Sequence, residues 1–284
     1  MEKELYYEEE GKDNKETIIF IHSNFLSNWI WKNQRSYFNN SYHCVYIDLP
    51  KHGNSSFKEE FSIKDSAILI KELIEKIAKN KKAHLVGVSL GGQIILYILS
   101  KYPEVIDNAV ITGVNLKATH DKDDKIANLI NSQKERKIDN LLTLVNQLQE
   151  DILGDKSPDF IIKAYLAEYG LQKEYYKELK ESIENSNNSL ISITKESLKF
   201  KFSKPNSIKN KNLLVLFGTK EYPKIVKSAE LIKETFPEAQ IFNVYRAIHL
   251  WNIIDYEWFN EILMEFLTKK CLSLNEKPYL KRFK

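Results

Sequence analysis

Apolar and polar positions alternate along this chain with two different periods, and the periods predict its elements. Thr17–His22 reads T-I-I-F-I-H, His43–Leu49 reads H-C-V-Y-I-D-L and His84–Val88 reads H-L-V-G-V. Continuous apolar, β-branched runs of this length predict strands buried on both faces. Asn108–Val114, Leu213–Phe217 and Ile241–Tyr245 read the same way, and Leu5–Glu9 predicts a short strand ahead of a polar turn. Between the strands the period changes. Ile63, Ala67, Ile70, Ile74 and Ile77 recur at helical spacing and predict a helix over Ile63–Asn80. Gly91–Tyr102, closed by Pro103, predicts a second, and Lys224–Phe236 and Trp251–Lys269 predict two more. Strands alternating with helices imply βαβ units: an α/β fold whose mostly parallel sheet carries helices on both faces.

One stretch lacks strands. From about Leu116 to Pro205 the pattern is helical only, with one helix over Asp139–Leu148 and another opened by Ser157-Pro158 and running to Gly170. Serine at the N-cap followed by proline at the first helical position is a favourable start. A third helix is expected over Lys173–Ile183, and Glu184–Ser189 (E-N-S-N-N-S) reads as a loop. The expected organisation is a core of residues 1–115 and 206–270, a helical cap over 116–205, and a basic C-terminal tail over 271–284, peripheral and without clear periodicity.

Composition narrows the function classes. The 284 residues are 43% hydrophobic and 12% aromatic, which excludes a disordered chain. No apolar run approaches the ~18 residues of a membrane helix, so no membrane span is expected. The first residues lack the basic and apolar regions of a signal peptide. The net charge is +3, and only four cations are arginine: Arg35, Arg136, Arg246 and Arg282. Arginine is the side chain of bidentate phosphate and guanine contacts, so nucleic acid is not an expected partner. Cys44 and Cys271 have no metal or redox spacing. Neither a metal nor a cofactor is expected, and a reducing cytoplasm is the simplest setting. No heptad run speaks to oligomeric state.

The chemistry-bearing motif is Gly87-Val88-Ser89-Leu90-Gly91-Gly92, a G-x-S-x-G between a predicted strand and a predicted helix. A serine on such a sharp turn has its hydroxyl pushed out at the carboxyl edge of the sheet, and glycines two residues away on either side relieve the crowding. The backbone N–H of Leu90, at the helix start, then faces a developing oxyanion. The bland alternative is a buried turn with an idle serine. A phosphate loop would need G-x-G-x-x-G or G-K-[ST], and neither is present.

On these residues the chain resembles the α/β-hydrolase family, from about Leu5 to Leu267. Ile19–Trp31 (I-F-I-H-S-N-F-L-S-N-W-I-W) looks like the family's oxyanion loop, usually H-G-x, with Ser23 in place of the glycine. Asn24 falls where the family supplies its second oxyanion N–H. Asp48–Ser56 (D-L-P-K-H-G-N-S-S) resembles the family's structural D-x-P-G-x-G-x-S loop, Lys51 replacing a glycine. A serine hydroxyl needs an adjacent base. Of six histidines, His22 and His52 belong to these loops, His43 and His84 begin strands, and His120 starts the insertion. His249, in A-I-H-L-W after the last apolar strand, stands where the family places its catalytic histidine. The family's acid follows the strand after the insertion as G-x-x-D; here Gly218-Thr219-Lys220-Glu221 puts a glutamate there. Asp121, Asp123 and Asp124 are the alternative acids.

The resemblance implies a serine hydrolase that acts through an acyl-enzyme on a small or medium apolar acyl ester. Epoxide hydrolases and haloalkane dehalogenases of this fold carry an aspartate at the elbow, so they are excluded. A C–C bond hydrolase or a lyase of menaquinone synthesis is the alternative; the lyase's anionic substrate calls for arginines, and Arg136 and Arg246 are the candidates. A non-catalytic binding module is a third reading, which reaction of the serine with a fluorophosphonate separates from the other two.

Overall fold

A computed structural model describes residues 4–116, 162, 166, 170–186, 189–201, 212–274 and 277–283. Eight strands form one sheet: β1 Tyr7–Glu10, β2 Thr17–Ile21, β3 His43–Ile47, β4 Ala83–Val88, β5 Ile106–Thr112, β6 Asn212–Gly218, β7 Gln240–Val244 and β8 Leu280–Arg282. Their spatial order is β1-β3-β2-β4-β5-β6-β7-β8. The outer strands β1 and β8 run antiparallel to β3 and β7, and all other neighbours are parallel.

The described helices are α1 Lys32–Phe38, α2 Ile63–Ile77, α3 Leu90–Lys101, α4 Tyr176–Ser186, α5 Leu190–Lys199, α6 Pro223–Thr235, α7 Trp251–Ile254 and α8 Tyr256–Lys269. Strand side chains alternate between two apolar layers. Phe20, Val86, Val110, Leu214 and Phe242 pack with Trp31, Trp251 and Phe259 on one face. Ile19, Leu85, Ile111, Val215 and Ile241 pack with Ile70, Ile95 and Ile232 on the other. Both faces are covered, which is why these strands read as continuous apolar runs rather than as alternation. Among the described residues no helix is long and apolar enough to cross a membrane.

Several boundaries differ from the sequence expectation for local reasons. Helix α2 starts where Ser62 accepts a hydrogen bond from the Asp65 N–H at 3.2 Å. It stops at Ile77 because Ala78 is extended (φ −79°, ψ 126°). The single helix expected over Trp251–Lys269 is two, broken at Asp255 (φ −108°, ψ 43°). Glu184–Ser186 belong to α4 rather than to a loop, and α1 and α5 were not anticipated. The helix expected over Asp139–Leu148 lies outside the described residues. Of the one expected to end at Gly170, Ile162 and Leu166 are described, helical and buried.

The basic tail contributes a strand. Leu280 pairs with Val244 and Arg282 with Phe242. Ahead of it the Lys277 ammonium lies 2.7 Å from Glu265 and 3.1 Å from Glu261. Tyr279 stacks on Trp258, ring centroids 4.3 Å apart, and donates to Glu261 at 2.8 Å. The strand has three residues and buries only Leu280, so no periodicity betrays it.

Candidate active site

Strand β4 ends at Val88 and α3 begins at Leu90, leaving Ser89 alone in the turn with φ 53° and ψ −107°. A non-glycine residue in that region costs of order 1–3 kcal/mol and persists only where its surroundings over-determine it. Here the Ser89 N–H donates to the Thr112 carbonyl of β5 at 2.9 Å, and the Ser89 carbonyl accepts from the Gln93 N–H at 3.0 Å. The elbow glycines allow close approach. A Cβ on Gly91 would run into the Ile21 carbonyl at the end of β2, and one on Gly87 would lie 2.6 Å from the Gly91 carbonyl carbon. Helix α3 therefore starts directly against the loop that leaves β2. Leu90 is the first residue of that helix, and N–H groups of a helix's first turn have no partner within it.

Buried polar groups fix that loop. His22 Nε2 accepts from the Leu49 N–H at 2.9 Å, so Nδ1 carries the hydrogen and donates to the Ser23 carbonyl at 2.7 Å. Burial lowers the His22 pKa to about 4 and keeps the ring neutral. Ser23 does not take up the positive φ open to a glycine; the left-handed turn falls on Phe25 (φ 63°). Asn24 is half-buried, and its side-chain Oδ1 is buried with no hydrogen-bond partner among the described residues. Asp48 binds the neighbouring segments: one carboxylate oxygen accepts from the N–H and side chain of Asn28 at 2.8 and 3.0 Å, the other from the Asn54 N–H at 2.8 Å. Its burial nonetheless raises its pKa. His52 sits edge-on to His22, 5.0 Å between centroids, with Nδ1 2.9 Å from the Pro50 carbonyl; burial holds it at about 3. His84 bonds to Asn108 at 2.8 Å and is held at about 4 by burial, and His43 bonds to Thr17 and Glu9. These four histidines are structural.

The fifth described histidine meets the predicted acid. Glu221 folds back onto the end of β6: its N–H donates to the Gly218 carbonyl at 3.2 Å, and its Oε2 accepts from the Gly218 N–H at 2.7 Å. This fold-back takes up the methylene by which glutamate exceeds aspartate. Its Oε1 lies 2.7 Å from His249 Nδ1. A carboxylate can only accept, so Nδ1 carries the hydrogen and the ring's lone pair is on Nε2. The Glu221 side chain is 2% exposed and that of His249 22%: a sheltered carboxylate against a more accessible imidazole. The loops after β6 and β7 are zipped together by Thr219 N–H to Val244 O (3.0 Å), Lys220 N–H to Ala247 O (3.2 Å) and Arg246 N–H to Thr219 Oγ1 (2.9 Å).

Two neighbours that sequence reasoning missed join the halves. Gly113 follows β5 at φ 61°, and a Cβ there would lie 2.8 Å from Glu221 Oε1 and 2.9 Å from His249 Nδ1. Thr112, the residue before it, holds the Ser89 N–H by its carbonyl and accepts from Trp251 Nε1 on its hydroxyl at 2.9 Å. Residues 112 and 113 thus touch the elbow on one side and the Glu221–His249 pair on the other. Their signal was a glycine at the end of a strand, which gains meaning only from the β4–β5 register (Val88 opposite Thr112). His120, Asp121, Asp123, Asp124 and Arg136 lie outside the described residues.

Residues 16–146 match the family model described as "alpha/beta hydrolase fold". A protein of Gibberella zeae named "AB hydrolase superfamily protein" is 32% identical over 105 residues, 36% of each chain. A Haemophilus influenzae protein named "Putative 2-succinyl-6-hydroxy-2,4-cyclohexadiene-1-carboxylate synthase" is 30% identical over 112 residues, 37% of this chain and 44% of that one. The chain therefore aligns with well under half the length of these curated relatives. Among solved structures, a thermophilic esterase from Thermogutta terrifontis superposes with a TM-score of 0.71 at 16% identity, covering 93% of each chain.

Proposed function

We propose that this chain, which has the α/β-hydrolase fold, is a serine hydrolase acting on a small or medium apolar acyl ester, with Ser89 as nucleophile, His249 as base and Glu221 as acid. The observation that carries the reading is the 2.7 Å contact between His249 Nδ1 and Glu221, set beside Gly113 and one residue from the carbonyl that holds the Ser89 N–H. In this reading His249 Nε2 takes the proton of Ser89 Oγ as the oxygen attacks the ester carbonyl. The backbone N–H groups of Leu90 and Asn24 receive the oxyanion. The protonated imidazole, stabilised by Glu221, then gives its proton to the departing alcohol as the C–O bond breaks. Water repeats the sequence on the acyl-enzyme, releasing the acid and restoring Ser89. Specificity would come from the insertion and the apolar surface near the elbow.

The test is Ser89→Ala. It is expected to abolish fluorophosphonate labelling and to lower kcat on a p-nitrophenyl ester by roughly 10⁶. Residual activity within tenfold of wild type would remove Ser89 from the mechanism, and an unlabelled wild type would favour a binding module. A second reading, a lyase or C–C bond hydrolase, is favoured by the name of the Haemophilus influenzae relative. It predicts turnover of a multiply anionic substrate lost on changing Arg136 or Arg246, with ester hydrolysis weak.

A further inference from the structure

We propose that Gln93 is a positioning residue that sets the acyl-length limit of the site, by holding α5 and the segment leaving β5 against the nucleophile helix. The inference rests on the serine-hydrolase reading above. Gln93 lies one turn after Ser89 in α3 and is 2% exposed. Nothing in α3 requires an amide there: its other buried side chains after the glycines, such as Ile94, Ile95 and Ile98, are aliphatic. Gln93 is instead matched outside its helix. Its Nε2 donates to the Asn115 carbonyl at 2.7 Å and to the Ser197 carbonyl at 3.1 Å, while its Oε1 accepts from the Ser197 hydroxyl at 2.8 Å. Both amide hydrogens and the amide oxygen are thereby used. Asn115 stands two residues after Gly113, and Ser197 lies in the last turn of α5. One buried side chain therefore joins three segments.

The joined segments carry an apolar wall packed on α3. A Cβ on Gly92 would run into Val114, so Val114 packs directly on α3. Val114, Leu116 and Ile193 of α5 belong to the same buried cluster as Leu90, whose N–H is assigned to the oxyanion. Buried amide bonds resist displacement because an unmade bond leaves each partner desolvated. With Gln93 in place this wall stands at a fixed distance from α3, and an acyl chain longer than the space allows must overpack it.

The experiment compares wild type, Gln93→Met and Ser197→Ala on p-nitrophenyl esters of rising acyl length. Methionine keeps the length of the side chain and removes the amide. The ratio of kcat/KM between the best ester and the first overlong one is expected to shrink roughly tenfold in Gln93→Met, through KM, with acetyl-ester kcat and fluorophosphonate labelling within about threefold of wild type. Ser197→Ala should shift it in the same direction by less, and the double variant by less than the sum. Amide hydrogen exchange over residues 193–199 should quicken roughly tenfold, a readout independent of catalysis. An unchanged length profile and unchanged exchange, with labelling intact, would overturn the proposal and leave the hydrolase reading standing. So would a uniform kcat loss that includes the acetyl ester, because Gln93 would then act on the nucleophile itself. A wild type that does not label would overturn the hydrolase reading first. Should Gln93→Met not fold, Ser197→Ala decides alone by the same two readouts.

Discussion

Glu221 does two jobs with one carboxylate, closing its own turn through the Gly218 N–H and orienting His249. Glu221→Gln preserves the shape but makes the oxygen facing Nδ1 compete with an amide, which favours the wrong imidazole tautomer. We expect kcat to fall by roughly 10⁴, with slow but stoichiometric phosphonate labelling. Near-wild-type kcat, together with a crippled Asp121, Asp123 or Asp124 variant, would move the acid to the segment after β5. The three proposed catalytic side chains were legible because each sits in a short local motif. Thr112, Gly113 and Gln93 were not, because their roles depend on which strand lies beside β4 and on a serine 104 residues away. The buried histidines carry a pH signature. Unfolded, each takes a proton near 6.5; folded, His22 and His84 resist until about 4 and His52 until about 3. Below 6.5 the unfolded chain binds more protons, so stability is complete above that pH. It should fall as the pH drops toward 4, by up to about 1.4 kcal/mol per pH unit for each ring. Urea unfolding between pH 7.5 and 4.5 measures the slope, and a flat profile would contradict neutral buried rings.

Among elements, the strands were the most readable because the sheet is covered on both faces and each of β2, β3 and β4 is buried throughout. Helix ends were less so, since Ala78 and Asp255 stop or break their helices by backbone angles that no residue type there announces. β8 was invisible because its stability lies in partners: β7 for the backbone, Trp258 for Tyr279, Glu261 and Glu265 for Lys277. Lys277→Met tests that attachment. It leaves the Glu265 carboxylate, 9% exposed, without its nearest cation, and should lower the unfolding free energy by about 1–3 kcal/mol. It should also expose residues 271–283 to protease. Unchanged stability and unchanged cleavage would mean that β-pairing alone retains the strand.

At the scale of the whole molecule, the neighbouring strands β5 and β6 join residues a hundred positions apart, with Asn108 opposite Asn212 and Thr112 opposite Leu216. Everything carrying Ser89 and Asn24 lies on one side of that seam in sequence, and everything carrying Glu221 and His249 on the other. The chain could therefore serve as its own complementation reporter. Two polypeptides spanning residues 1–150 and 151–284, expressed together, would have to zip β5 to β6 before serine and histidine could meet. Linking the halves contributes effective concentration rather than any contact across the seam. We expect a fluorescent phosphonate to mark the first polypeptide only when the second is present, so that the dye reads fragment assembly. Equal marking of the first polypeptide by itself would mean that Ser89 reacts without its proposed partners.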